Sequence, residues 1–141
     1  MPASKKATDT LPPRVLIVMP DQWRRALIRA ALREAGYDAV GASGLRQTQL
    51  IRASLPDRGP VRVMILDQDT LITPDDGRTV TELTRRLGEP DAILVARATI
   101  RSPEGSWRRV LRRPVSVAEI VRAVEDLAPL HPEMKHAIDL T

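Results

Sequence analysis

The sequence predicts an α/β domain, a three-layer sandwich on a five-stranded parallel sheet of order 2-1-3-4-5. Three observations point there. Runs at 14–18, 61–66 and 92–96, apolar apart from Arg14 and Arg62, have the Val/Ile/Leu-rich character of strands buried on both faces. Segments with apolar residues at three- and four-residue spacing lie between the runs, as amphipathic helices require. Strand and helix patterns alternate five times within 141 residues, and such alternation joins parallel strands through helical crossovers.

The elements follow in order. Residues 1–12 are polar and end at the Pro12-Pro13 pair, which predicts a disordered lead. The first strand is 14–18. A helix over 21–35 presents Leu27, Ile28, Ala31, Leu32 and Ala35, and Gly36 stops it as a left-handed cap. Residues 37–40 read as a second strand. A weaker helix over 45–54 has Leu45, Thr48, Ile51 and Leu55 along its edge, before a turn at 56–60. The third strand, 61–66, runs into Asp67. Thr79 to Glu82 form a capping box for a helix to Leu87, closed by Gly88. The fourth strand is 92–96, and Val110 to Arg112 make a short fifth. Ser116 to Glu119 form a second capping box, opening a helix that carries Ile120, Val121, Val124 and Leu127. The domain is expected over 13–128, with residues 129–141 a tail holding Pro129 and Pro132.

Composition narrows the function classes. Two Trp, one Tyr and no Phe leave the core to aliphatic residues, and the absence of Cys excludes disulfides, thiolate nucleophiles and Cys-ligated metals. No apolar run approaches the roughly 18 residues needed to span a membrane, and the N-terminus lacks a signal-peptide core, so a cytoplasmic protein with no membrane partner is expected. The 22 Lys and Arg against 18 Asp and Glu give a mild basic excess, nearly all of it Arg. That excess leaves an Arg-rich nucleic-acid-binding protein as one reading, although no recognition motif accompanies the charge. His131 and His136 have only Glu133 nearby and make no metal site. No Ser-His-Asp set, phosphate-binding loop or dinucleotide fingerprint is present.

Asp67 stands out because it ends a buried strand. In open α/β sheets, ligands bind outside the carboxyl ends of the strands. Together with the strand 14–18 and its helix ending at Gly36-Tyr37, Asp76-Gly77 in the following loop, and Arg113-Pro114 after the fifth strand, Asp67 makes the chain resemble a response-regulator receiver domain of two-component signalling. The likeness covers about residues 13–128 and implies the flavodoxin-like sandwich. Receivers hold Mg²⁺ on two acids after the first strand and on a phospho-accepting Asp. A Lys after the fifth strand meets the acyl phosphate, while a hydroxyl on the fourth strand and an aromatic on the fifth pass the signal outward. Hard Mg²⁺ needs such oxygen ligands to offset phosphoryl charge.

Carried onto this sequence, the resemblance places the acid pair on Met19 and Pro20, neither of which binds Mg²⁺ through its side chain. Asp67 takes the phospho-acceptor position, Ala96 the hydroxyl position and Val110 the aromatic position, while Arg113 replaces the Lys. Receivers often carry a cis peptide where Arg113-Pro114 falls. Asp21 is one place late and reads better as a helix cap, although it and Asp69 are the two acids left to substitute as metal ligands. Met19 reads as a plug for the gap left by the acids. The fourth helix is expected to be short or missing, because Pro103 and Gly105 fall where it should begin.

The expected protein is therefore a stand-alone atypical receiver domain, inactive at Asp67, with no catalytic residues and no cofactor, Mg²⁺ included. It would work as a phosphorylation-independent protein-interaction module, with a histidine kinase, another regulator, a signalling assembly or a second copy as partner. Arg113 is the expected partner of Asp67, since a guanidinium pairs with a carboxylate through two nitrogens where Lys offers one. Trp23 and Trp107 are candidate contact residues, because Trp is enriched at interface hot spots. The alternatives are a phosphorylatable single-domain regulator accepting phosphate on Asp67, and the nucleic-acid reading, in which Trp107 and its neighbouring arginines would meet bases and phosphates.

Overall fold

The computed structural model describes residues 11–55, 57–98 and 105–130. Five strands, β1 (Arg14–Val18), β2 (Asp38–Ala42), β3 (Val61–Asp67), β4 (Asp91–Ala96) and β5 (Arg109–Arg112), form one sheet of order β2-β1-β3-β4-β5. Every pairing is parallel, so all five C-terminal ends lie along one edge. This is the order read from the sequence.

Alternation along the strands sorts the core into two faces. Val15, Ile17, Val63, Ile65, Ile93 and Val95 pack on one side against α1 (Gln22–Ala35) and α3 (Val117–Leu127). Leu16, Val18, Met64, Leu66 and Leu94 pack on the other against α2 (Asp76–Arg86). Emptying such a site, as Ile65→Ala would, costs about 2–5 kcal/mol.

The ends of α1 are set by side-chain chemistry. The Asp21 carboxylate accepts from the N–H groups of Trp23 and Arg24 at 3.0 and 3.1 Å, occupying two of the donors a helix start leaves unpaired. Gly36, at φ 111°, turns the chain out, and the Tyr37 N–H reaches back to the Leu32 carbonyl at 2.9 Å. Tyr37 is itself buried, and its hydroxyl donates to the Ala128 carbonyl at 2.7 Å, tying the end of α1 to the end of α3. Ser116 and Glu119 form the expected capping box on α3.

Three sequence expectations need correction. The weak helix over 45–54 is only a 3₁₀ turn, Gln47–Leu50, with Leu50 84% exposed. The Arg86 guanidinium holds this stretch in place by donating to the Ile51 and Thr48 carbonyls at 2.6 and 2.8 Å, so those carbonyls find partners outside a helix. The helix after β3 starts a turn earlier than its predicted capping box. Asp76 accepts from the Ile72 and Thr73 N–H groups at 2.6 and 2.9 Å and sets the start there. Asp76-Gly77 thus opens α2 rather than lying in a loop, and the Thr79 hydroxyl donates back to the Asp75 carbonyl. Leu130, expected in the trailing tail, packs against the first-face core.

Among the described residues no helix lies between β4 and β5, but residues 99–104 are outside that description. So are 1–10 and 131–141, which hold most of the expected lead and tail, including His131 and His136.

Candidate functional site

The site is built where β1, β3, β4 and β5 end. Asp67 is the last residue of β3, and its carboxylate is buried, with 3% of the side chain exposed. Its backbone is still extended, and its Oδ1 accepts from the Asp69 N–H at 3.0 Å, starting the 3₁₀ turn Gln68–Thr70. The Thr70 hydroxyl donates to the Asp67 carbonyl at 2.6 Å. The short turn places Asp69 beside Asp67 with both carboxylates at the sheet edge.

Arg113 follows β5 directly, and its N–H donates to the Ala96 carbonyl at 2.9 Å, so its backbone continues the ladder past the strand. The guanidinium then reaches across the edge. Its Nη2 donates to Asp67 Oδ1 and, at 2.8 Å, to Asp69 Oδ2. The expected Arg113–Asp67 pair is present in the structure, but its form differs from the two-nitrogen fork. One nitrogen bridges two carboxylates, and Nε is buried with no hydrogen-bond partner among the described residues.

Arg97 completes the set. Its Nε donates to Asp69 Oδ1 at 2.9 Å and its N–H to the Gln68 side-chain oxygen at 2.8 Å. Sequence reasoning missed Arg97. The available signal was its place immediately after a buried strand that neighbours the strand of Asp67. The hydrogen bond from Arg113, aided by that from Arg97, holds the Asp69 carboxyl below the usual carboxylate range. Burial opposes the charge on Arg113, but the hydrogen bond from Asp69 and the nearby Asp67 outweigh it and raise the guanidinium pKa. Two carboxylates and two guanidiniums thus neutralise one another across three loops.

The other singled-out positions divide. Met19 is fully buried in the first-face core, which makes its side chain a packing element of the site floor. Its carbonyl accepts from Arg25 Nη1 at 2.7 Å. Pro20 is exposed, and Asp21 is spent on the cap of α1, with no hydrogen bond or ion pair to Asp67. Ala96 is buried, whereas Val110 on the edge strand is 40% exposed. The Arg113-Pro114 peptide is cis. Trp23 is 73% exposed on α1, while Trp107 packs against the second-face core.

These residues do not fit Mg²⁺. The ion needs several oxygen ligands in near-octahedral array. Here a guanidinium already sits against both carboxylates, and the neighbouring side chains are a buried thioether and a proline. Among the described residues no group of three or more His, Cys, Asp or Glu gathers as a metal site.

No family model and no curated protein matches the sequence. Solved structures do match. The chain is similar to a response regulator receiver protein from Pseudomonas putida, at 21% identity over 82% of this chain and 97% of that one, with a TM-score of 0.61. It is similar to another from Burkholderia phymatum, at 22% identity over 84% and 97%, with a TM-score of 0.60. A putative pilus assembly protein from Burkholderia thailandensis matches at 20% identity over 82% and 98%, with a TM-score of 0.61. The chain has the receiver-domain fold, a flavodoxin-like five-stranded α/β sandwich. No helix among the described residues is long and apolar enough to cross a membrane.

Proposed function

We propose that this chain is an atypical receiver domain that serves signal transduction as a phosphorylation-independent protein-interaction module. One observation carries the reading: the Arg113 guanidinium occupies the Asp67 and Asp69 carboxylates where a receiver would hold its metal. In a phosphorylatable receiver, charge at the sheet edge changes when phosphate arrives. Here a fixed side-chain cation supplies the balancing charge permanently, so the edge has one electrostatic state. Met19 and Ala96 at the metal and hydroxyl positions support the same view, since neither side chain carries an oxygen. The output then depends on partner binding. Trp23, displayed on α1 beside half-exposed Leu27, is the proposed contact residue.

The nucleic-acid reading has less support. Trp107 lies against the core instead of standing out to stack on a base. Of the arginines near it, Arg113 is held by Asp67 and Asp69, and Arg109 pairs with Asp126 at 3.3 Å.

A two-dimensional amide NMR spectrum titrated with Mg²⁺ and then with beryllofluoride, a phosphoryl mimic, tests the proposal. No specific shifts at Asp67, Ala96 or Val110 are expected. Saturable shifts spreading from Asp67 would establish a phosphorylatable single-domain regulator instead.

A further inference from the structure

Helix α1 buries one face and leaves the opposite face apolar as well. Ile28 and Leu32 lie in the first-face core. On the far side Trp23, Leu27 and Ala30 follow at four- and three-residue spacing and form a stripe, with Ala26 beside it. Trp23 is 73% and Leu27 44% exposed, and both alanines are exposed. The solvent side of a surface helix normally carries polar residues, so this stripe has the composition of an interface.

Cations frame the stripe. Arg24 stands along one edge and Arg29 along the other, and neither guanidinium has a hydrogen-bond or ion-pair partner among the described residues. Arg25 and Arg33 turn toward the fold, donating to the Met19 and Ala39 carbonyls at 2.7 and 3.2 Å. Glu34 is the only acid within the helix. Two copies of α1 laid together would set one cationic edge against another in either direction, and like charges so placed cost affinity. A second copy is therefore a poor occupant, and a partner that supplies carboxylates is a good one.

We propose that the exposed face of α1 docks an acidic amphipathic helix of a partner protein. The apolar stripe of that helix sits on Trp23 and Leu27, and its flanking carboxylates meet Arg24 and Arg29. Ala26 and Ala30 leave a shallow seat beside the indole, and small residues there let two helix axes approach to about 8–10 Å. Trp is the kind of anchor that interface centres favour, and an unpaired guanidinium takes a carboxylate through two nitrogens. This partner class rests on the interaction-module reading above.

The probe is a blocked helical peptide of about 20 residues, long enough to fold alone, with leucines along one stripe and glutamates on both flanks. A second peptide carries lysine for every glutamate. Each is titrated into the isotope-labelled full-length protein and followed by amide NMR. The glutamate peptide should bind saturably, with shifts confined to α1, and weaken as salt is added. It should lose at least about tenfold in affinity in Trp23→Ala, and about tenfold in Arg29→Glu. Both positions are exposed, so these variants should keep the wild-type thermal midpoint. The lysine peptide should not bind. No saturable binding, equal affinity for the two peptides, shifts centred on another element, or a Trp23-dependent preference for phosphatidylglycerol vesicles over the peptide would each overturn the proposal. A silent α1 beside an Asp67 silent to Mg²⁺ and beryllofluoride overturns this partner alone. A bound peptide beside a response at Asp67 overturns phosphorylation independence alone.

Discussion

Nη2 of Arg113 donates at once to the buried carboxylate of Asp67 and to the partly exposed carboxylate of Asp69. One nitrogen of β5's continuation thereby spans the whole turn that follows β3. Removing one member of a buried ion pair strands the other charge without solvent, whereas removing both leaves an apolar gap. The stability consequences are therefore strongly non-additive.

Arg113→Leu alone should lower unfolding free energy by about 3–5 kcal/mol, because Asp67 is left charged and buried. Combining it with Asp67→Ala should recover part of that loss, giving a coupling energy above about 1 kcal/mol in a double-mutant cycle from urea unfolding. Additive effects would mean that the pair does not lock the site.

Asp69 predicts an acid-side signature. Its pKa is lowered in the folded state from an ordinary 3.8, and Asp38 is lowered likewise by its hydrogen bond from Arg58. A carboxyl depressed by folding contributes stability above its unfolded pKa and loses it as pH falls toward and through the folded value. The urea midpoint should hold between about pH 7 and pH 5 and fall below about pH 4. Asp69→Asn and Asp38→Asn should each flatten that fall.

Tyr37, the only tyrosine in the chain, gives an alkaline counterpart. Burial, with Glu125 nearby, pushes its phenol up to about 12 from 10.0. A group raised by folding contributes stability below its unfolded pKa and loses it as pH rises through the folded one. Tyrosinate absorbance should therefore titrate well above 10.0 in native protein and return to that value in urea. Tyr37→Phe should cost about 1 kcal/mol through the lost bond to the Ala128 carbonyl.

The two tryptophans should behave differently. Trp23→Ala should change stability by less than about 0.5 kcal/mol, as exposed substitutions do. Trp107→Ala, which uncovers second-face core, should cost about 2 kcal/mol by the same unfolding assay. Equal costs would contradict the placement of these rings.

The sheet was legible because Val15 to Val18, Met64 to Leu66 and Ile93 to Val95 are apolar at every position, and only a strand covered on both faces needs that. Asp67 and Arg113 were legible as a pair because both fall at the C-terminal edge of the sheet, one ending β3 and the other following β5. Less could be read where tertiary hydrogen bonds decide the local form. Nothing in Leu45 to Leu55 announces that Arg86, 35 residues beyond Ile51, accounts for the carbonyls a helix would have satisfied. Asp76 gave no sign that its carboxylate would gather the N–H groups before it, and Thr79 offered a more familiar start. Arg97 escaped notice because a lone Arg after a strand has no spacing pattern. The single-nitrogen bridge of Arg113 depends on where Asp69 lands, which the tight turn after Asp67 fixes.

The clamp of Arg86 on Thr48 and Ile51 also sets an order of disassembly. One layer of this molecule is two long helices seated on the sheet. On the other, the stretch from Leu45 to Leu55 has no long helix, and the Arg86 guanidinium grips two of its carbonyls at 2.6 and 2.8 Å while Arg14 donates to the Arg52 carbonyl at 3.0 Å. Thermal fluctuation will release that grip long before it separates β1 from β3. The segment from Leu45 to Leu55 is thus a hatch in an otherwise solid hull, and its amides will trade their hydrogens with solvent while the central strands still wait for the whole domain to open.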